Sequence, residues 1–284
     1  MILITGAAGK TGQAIIRALV KREMAVRAFV YRHAQTTLVK ELGAKEVVVG
    51  DIRDEATFRQ ATRGVRAMYH ICPNMNPDEV AIGRTAIAAA SAAGVQHFVC
   101  HSVLHPQTEA MPHHWHKLRI EEMLFESGLD FTILQPAAYM QNILAGWTTI
   151  VEQGVYWVPY PVETRLGMVD LEDVATVAAA VLTEPGHVGA TYELAGPEAL
   201  TQTEIAAILS QVLDRSVRAE QMPLAVWRQQ AQAAGLGAYQ VETLVKMFRY
   251  YEQYNFWGNP QVLGWLLKRP PTGFWTFAEK RVSV

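Results

Sequence analysis

Behind the apolar stretch Met1-Ile2-Leu3-Ile4 stands a run of small residues, Thr5-Gly6-Ala7-Ala8-Gly9-Lys10-Thr11-Gly12. A short strand, a glycine-rich turn and then a helix over Gln13 to Arg22 is the order that lays a pyrophosphate on a helix N-terminus. There, unpaired backbone N–H groups and the helix dipole face the anion. Gly6 permits the tight turn, Gly9 lets backbone approach phosphate, and Gly12 lets the helix close on the strand. Ala8, Lys10 and Thr11 complete the expected cradle. The spacing is G-x-x-G-x-x-G, and glycines alone say little, since loops often contain them. The flanking strand and apolar-periodic helix supply the context the motif requires.

The end of the second strand reads Val30-Tyr31-Arg32-His33-Ala34, without the carboxylate that would hold a ribose 2′-hydroxyl and repel a 2′-phosphate. Arg32 offers such a phosphate a planar, permanently charged fork, which points to NADP(H), with His33 or Lys10 as helpers. The bland alternative is a solvated arginine at a strand end. Asp51 and Ile52, behind the third strand, stand where an adenine would be flanked, although Asp51 equally fits a helix cap. Cys72 and Pro73, behind the fourth strand, are counted with the cofactor contacts on the same carboxyl edge. Five histidines (His101, His105, His113, His114, His116) crowd into one short stretch, but no H-E-x-x-H, companion cysteine or carboxylate completes a metal set, so no metal is expected. His101-Ser102-Val103 also lacks the G-x-S-x-G elbow of a nucleophilic serine.

These residues need a scaffold. Strand-like runs at Ala25–Tyr31, Glu46–Val49, Arg66–Ile71, His97–Cys100 and Phe131–Leu134 alternate with helical stretches at Gln35–Leu42, Glu55–Thr62, Glu79–Ala93 and His113–Ser127. That rhythm predicts an α/β fold, a Rossmann-type doubly wound parallel sheet. Past Pro136 the pattern loosens: Tyr139–Gly146 looks helical, Tyr156–Pro161 is aromatic and proline-punctuated, Leu171–Leu182 is a helix capped by Asp170, and Thr191–Leu194 reads as a seventh strand. Residues 1–152 and 168–196 are expected to form the NADP-binding domain, and 153–167 with 197–284 a smaller, mostly helical substrate lobe. The chain has 284 residues, 50% hydrophobic and 18% charged, with a net charge of −2, so nucleic acid is not an expected partner. Cys72 and Cys100 sit in apolar runs as reduced core residues, no long apolar run suggests a membrane span, and the first strand starts at Met1. Together these point to the cytoplasm.

The glycine loop, Arg32, Gly50-Asp51, the run Thr132-Ile133-Leu134-Gln135-Pro136-Ala137-Ala138-Tyr139-Met140-Gln141-Asn142, Val169–Ala175 and Tyr192–Pro197 together resemble the NmrA-like family of atypical short-chain dehydrogenases/reductases. The resemblance covers about residues 1–215 and fades beyond. It implies a nicotinamide contact at Pro136. Typical short-chain reductases use a serine and Y-x-x-x-K, the tyrosine as proton donor and the lysine on the nicotinamide ribose. Here Ser102 and Lys117 are present, but position 113 is histidine, so the usual acid is missing. Lys117 also resembles the lysine of isoflavone-reductase-like relatives, its helix preceding a similar Ser127-Gly128-Leu129-Asp130-Phe131-Thr132 strand. His113 and His114 fall on the Lys117 side of a helix, and a histidine can serve as acid near neutral pH. The candidate catalytic residues are therefore Lys117 and His113.

Tyr139, Asn142 and Trp147 follow the sixth strand, and Trp157 the next stretch; with Tyr156, Tyr160 and the aromatic run from Phe248 to Trp257 they form walls suited to a flat, apolar substrate. The alternative is that most of them pack the small lobe. Two functions stand first, ahead of a carbonyl or sugar-nucleotide enzyme of the extended class, for which the substrate region offers little charge to grip a nucleotide sugar. One is an NADPH-dependent reductase of a quinone, enone, azo or dye-like acceptor. The other is an NADP(H)-binding redox sensor that reports to a protein partner. A homodimer or regulatory partner is compatible with either.

Overall fold

The computed structural model describes residues 1–73 and 75–282. It divides into two compact units: Met1–Gln107, His113–Gln135 and Val174–Tyr192 in the first, and Thr108–Pro112, Pro136–Asp173 and Glu193–Val284 in the second. Residues 136–152, which the strand–helix rhythm placed with the nucleotide-binding part, group with the second unit.

The first unit carries the sheet. Its elements are β1 (Ile2–Ile4), α1 (Lys10–Val20), β2 (Val26–Val30), α2 (Thr36–Glu41), β3 (Glu46–Val49), α3 (Glu55–Thr62), β4 (Ala67–His70), α4 (Glu79–Ala92), β5 (His97–His101), α5 (Pro112–Glu126) and β6 (Phe131–Pro136). β1 pairs β2 and β4, β2 pairs β3, and β5 pairs β4 and β6, all in parallel. Helices cover both faces of such a sheet, which is why its strands read as unbroken apolar runs. Ile2, Leu3 and Ile4 are fully buried, and Leu3, Phe58, Met68, Phe98 and Ile133 join one core cluster. The expected bounds hold to within a few residues. α1 begins at Lys10 rather than Gln13, because the turn passes directly into helix.

The second unit contains a 3₁₀ turn at Met140–Gly146, then α6 (Trp147–Gln153), β7 (Val155–Val158), β8 (Leu166–Gly167) and the start of α7 (Leu171–Thr183). After β9 (Ala190–Leu194), the seventh strand of the large sheet, come β10 (Ala199–Leu200), α8 (Gln202–Val212), β11 (Arg218–Gln221), α9 (Leu224–Ala233), α10 (Ala238–Tyr254), α11 (Gln261–Leu267) and α12 (Phe274–Val282). Asp170 accepts the Glu172 N–H at 3.0 Å, the capping contact expected there. The first half of the aromatic, proline-punctuated segment lies in strand β7, paired in parallel with β11. Its alternation buries Tyr156 and exposes Trp157, and the Tyr156 hydroxyl donates to Gln202 Oε1 at 3.0 Å. Tyr160, Phe248, Tyr251 and Phe256 are buried with ring centroids 5.0–6.1 Å apart, so these aromatics pack the lobe. No helix among the described residues is long and apolar enough to cross a membrane.

Candidate functional site

The glycine loop is shaped by sterics. Gly6 adopts φ +59°, in the left-handed region, and a Cβ at Gly12 would stand 2.5 Å from the Gly6 carbonyl oxygen and 2.7 Å from Ala7 Cα. No side chain fits at Gly12, so helix and loop close against each other there. Thr5 pins the loop to β4: its hydroxyl donates to the Ile71 carbonyl at 3.0 Å and accepts the Ile71 N–H at 2.8 Å. At the head of α1, Gly9 and Lys10 are exposed, no side chain caps the helix, and its first turn holds no acid. The first N–H groups of a helix lack intrahelical partners, so this end is a ready anion cradle. The residues present fit a dinucleotide diphosphate.

At the end of β2, Arg32 is exposed. Its N–H and that of Tyr31 both donate to Gln35 Oε1, at 2.9 and 3.0 Å, which fixes the corner and leaves the guanidinium outward without an ion-pair partner among the described residues. Asp51 does not cap the following helix. That work falls to Asp54, which accepts from the N–H groups of Ala56 and Thr57. Asp51 instead binds Arg53, 2.6 Å at Nη2, and those hydrogen bonds hold its carboxyl below the usual range. Ile52 packs partly against the sheet core, Cys72 is buried and Pro73 exposed.

Lys117 lies on α5, which opens on Pro112 as a helix start favours. Its ammonium donates to Glu79 Oε1 at 2.6 Å and to the His101 carbonyl at 3.0 Å. Burial is the strongest single influence and works against the charge, but the Glu79 carboxylate together with Cys72 and Cys100 more than offsets it, and Lys117 is held above its ordinary range. Burial, with Glu79 adding to it, likewise pushes the Cys72 thiol up, while burial alone dominates at Cys100, pushed up to about 12. His113 is buried, meets His114 edge-on at 4.5 Å, and its Nδ1 has no hydrogen-bond partner. Burial and the neighbouring His114 and Lys117 push its pKa down to about 3, and His101 is likewise near 3. The expectation of an imidazolium acid near neutrality is therefore corrected. His113 is a neutral ring at pH 7, able to exchange hydrogen bonds rather than to release a cationic proton.

Ser102 is turned inward. Its hydroxyl donates to Glu121 Oε1, and Gln135 Nε2 donates to both oxygens of the same carboxylate at 3.0 Å. Burial raises Glu121 despite these bonds. Sequence reading missed Glu79, Glu121 and Gln135 as part of this constellation. Glu79 reads as a favourable charge at a helix start, and Glu121 as an ordinary i+4 surface partner of Lys117. Among the described residues no three His, Cys, Asp or Glu are grouped to hold a metal ion.

In the second unit Pro136 is buried at the end of β6, Tyr139 is half-buried in a bridge to Val169, and Trp147 is half-buried at the start of α6. Asn142 is exposed, as is Trp157, at 42%.

A family model described as the NmrA-like family matches residues 1–275. The NAD(P)H azoreductase of Xenophilus azovorans is 33% identical over 248 residues, covering 86% of this chain and 83% of that protein. A (4-alkanoyl-5-oxo-2,5-dihydrofuran-3-yl)methyl phosphate reductase of Streptomyces griseus is 36% identical over 225 residues, covering 78% and 77%. Among solved structures, the NADPH-dependent quinone oxidoreductase QOR2 of Escherichia coli complexed with NADPH superposes with a TM-score of 0.86 at 28% identity, covering 99% of this chain and all of that one.

Proposed function

The chain belongs to the NmrA-like family, and from that premise we propose that it is an NADPH-dependent reductase of small, flat, conjugated acceptors such as quinones, enones, azo compounds or dyes. The observation that carries this reading is the uncapped, acid-free head of α1 behind a loop with no room for a side chain at Gly12. Gly6, Ala8, Gly9, Lys10, Thr11 and Gly12 would hold the diphosphate, and Arg32 the 2′-phosphate. Asp51, Ile52, Cys72, Pro73 and Pro136 would line the rest of the cofactor, and Lys117 would donate to the nicotinamide ribose. Bound NADPH supplies the hydride.

The chain's own groups decide which acceptors it serves. With a neutral His113 in the tyrosine's place, position 113 offers no cationic acid at pH 7, and the Lys117 ammonium is engaged by Glu79 and the His101 carbonyl. A carbonyl that must be protonated as hydride arrives is badly served by such a site. A quinone spreads the incoming charge over its ring and takes its proton afterwards, so that quinone, NADPH and one proton give quinol and NADP⁺. The azo group, the quinone and the oxo-dihydrofuran in the relatives' names share that conjugated unsaturation. Tyr139, Asn142, Trp147 and Trp157 are the proposed acceptor contacts.

The test is NADPH oxidation followed at 340 nm over a panel of quinones and dyes. Turnover is expected, with Lys117→Ala at least about tenfold slower in kcat/KM (~1.4 kcal/mol of barrier). The loss of Y-x-x-x-K favours a second reading, a sensor that binds NADP(H) without turnover. Tight NADPH binding with no oxidation across the whole panel would select it.

A further inference from the structure

We propose that Glu79 is the positioning residue of Lys117, gripping one N–H of its ammonium so that the donor left over is aimed at a hydroxyl of the bound cofactor. This rests on the reading of Lys117 as a cofactor contact.

Glu79 is 1% exposed at the first turn of α4 and stands 2.6 Å from Lys117 Nζ. A second N–H goes to the His101 carbonyl, the last residue of β5. An ammonium has three donors, so one remains. Glu79 Oε2 is buried with no nitrogen or oxygen hydrogen-bond partner, the Cys72 thiol being the other group hydrogen-bonded to this carboxylate. A pair that served stability alone would satisfy both oxygens, because breaking or half-satisfying a buried ion pair is costly and an apolar pair of equal volume is often as stable. The lysine also declines the partner on its own helix. Glu121, one turn on, is taken up by Ser102 and Gln135, so the direction of the Lys117 side chain is set from α4.

The titratable groups facing the ammonium are Glu79 from α4, His70 and Cys72 at the end of β4, Cys100 and His101 from β5, and His113, His114 and Glu121 from α5. Glu79 is the principal group that raises Lys117, against burial that lowers it. Replacing Glu79 by glutamine removes the raising partner and leaves the burial, so the lysine loses its proton at a lower pH. Lost with it is the charged donor, progressively as pH rises.

The experiment titrates NADPH by tryptophan quenching from pH 7 to pH 10 and follows menadione-dependent NADPH oxidation alongside. Glu79→Gln is expected to weaken NADPH about tenfold at pH 7 and further towards pH 10, whereas the unsubstituted protein stays flat. Glu79→Asp should recover part of the loss. In a Lys117→Met background, Glu79→Gln should change neither affinity nor kcat/KM by more than about twofold and should raise Tm, since it removes an orphaned buried carboxylate. If Glu79→Gln does not fold, that background decides. A flat pH profile for Glu79→Gln, or a further tenfold loss on top of Lys117→Met, overturns the assignment. The parent reading fails separately: Lys117→Met would then leave NADPH affinity unchanged.

Discussion

Arg32 carries a permanent charge at the one βα corner where an acid would select against a 2′-phosphate. Its backbone is held by Gln35 while its guanidinium stays exposed, so the fork is placed without being neutralised. Arg32→Ala should weaken NADPH about tenfold and leave NADH nearly unchanged, as read by parallel tryptophan-quenching titrations. An unchanged preference would move the selection to Lys10 or His33. The role proposed for Arg32 can be argued from sequence because it depends on position along the chain. That of Glu79 cannot, because it depends on a lysine that is distant in sequence and close only after β4, β5 and α5 have packed.

At the scale of elements, the decisive junction is the turn from β1 into α1. Gly12 packs onto the backbone of Gly6 and Ala7, so Gly12→Ala must push helix from loop. Overpacking of this kind costs about 1–3 kcal/mol, and in a chain of this size that lowers Tm by several degrees. The same displacement moves the N–H cradle, so NADPH quenching should vanish at concentrations that saturate the unsubstituted protein. A thermal melt and a binding titration check both. The βα units themselves were read from apolar periodicity and turn residues, which act over a few neighbours. The β7–β11 pair escaped that reading because its partners come from separate stretches, and nothing local in Arg218–Gln221 requires the match to Val155–Val158.

For the whole molecule, the buried histidines set the response to acid. His70, His101, His113 and His114 are all pushed below the ordinary value of 6.5, to about 3, 3, 3 and 4, with burial the largest cause in each. The unfolded chain therefore binds more protons than the folded one between those values and about pH 6.5. Stability is full above that range and falls as pH drops through it, by up to about 1.4 kcal/mol per histidine per pH unit. Tm is expected to hold between pH 7 and 9 and to drop steeply from pH 6 to 4.5, which a series of melts would show. The sequence by itself determined the parallel sheet, the phosphate loop and the charge at the second corner, since strand period, glycine stereochemistry and fixed charge are properties of neighbouring residues. Only the tertiary structure decided that His113 is neutral, that Ser102 faces Glu121, and that Lys117 is held by Glu79. Proton affinity and side-chain direction follow from burial and from contacts between separate elements, and these do not exist until the chain has packed.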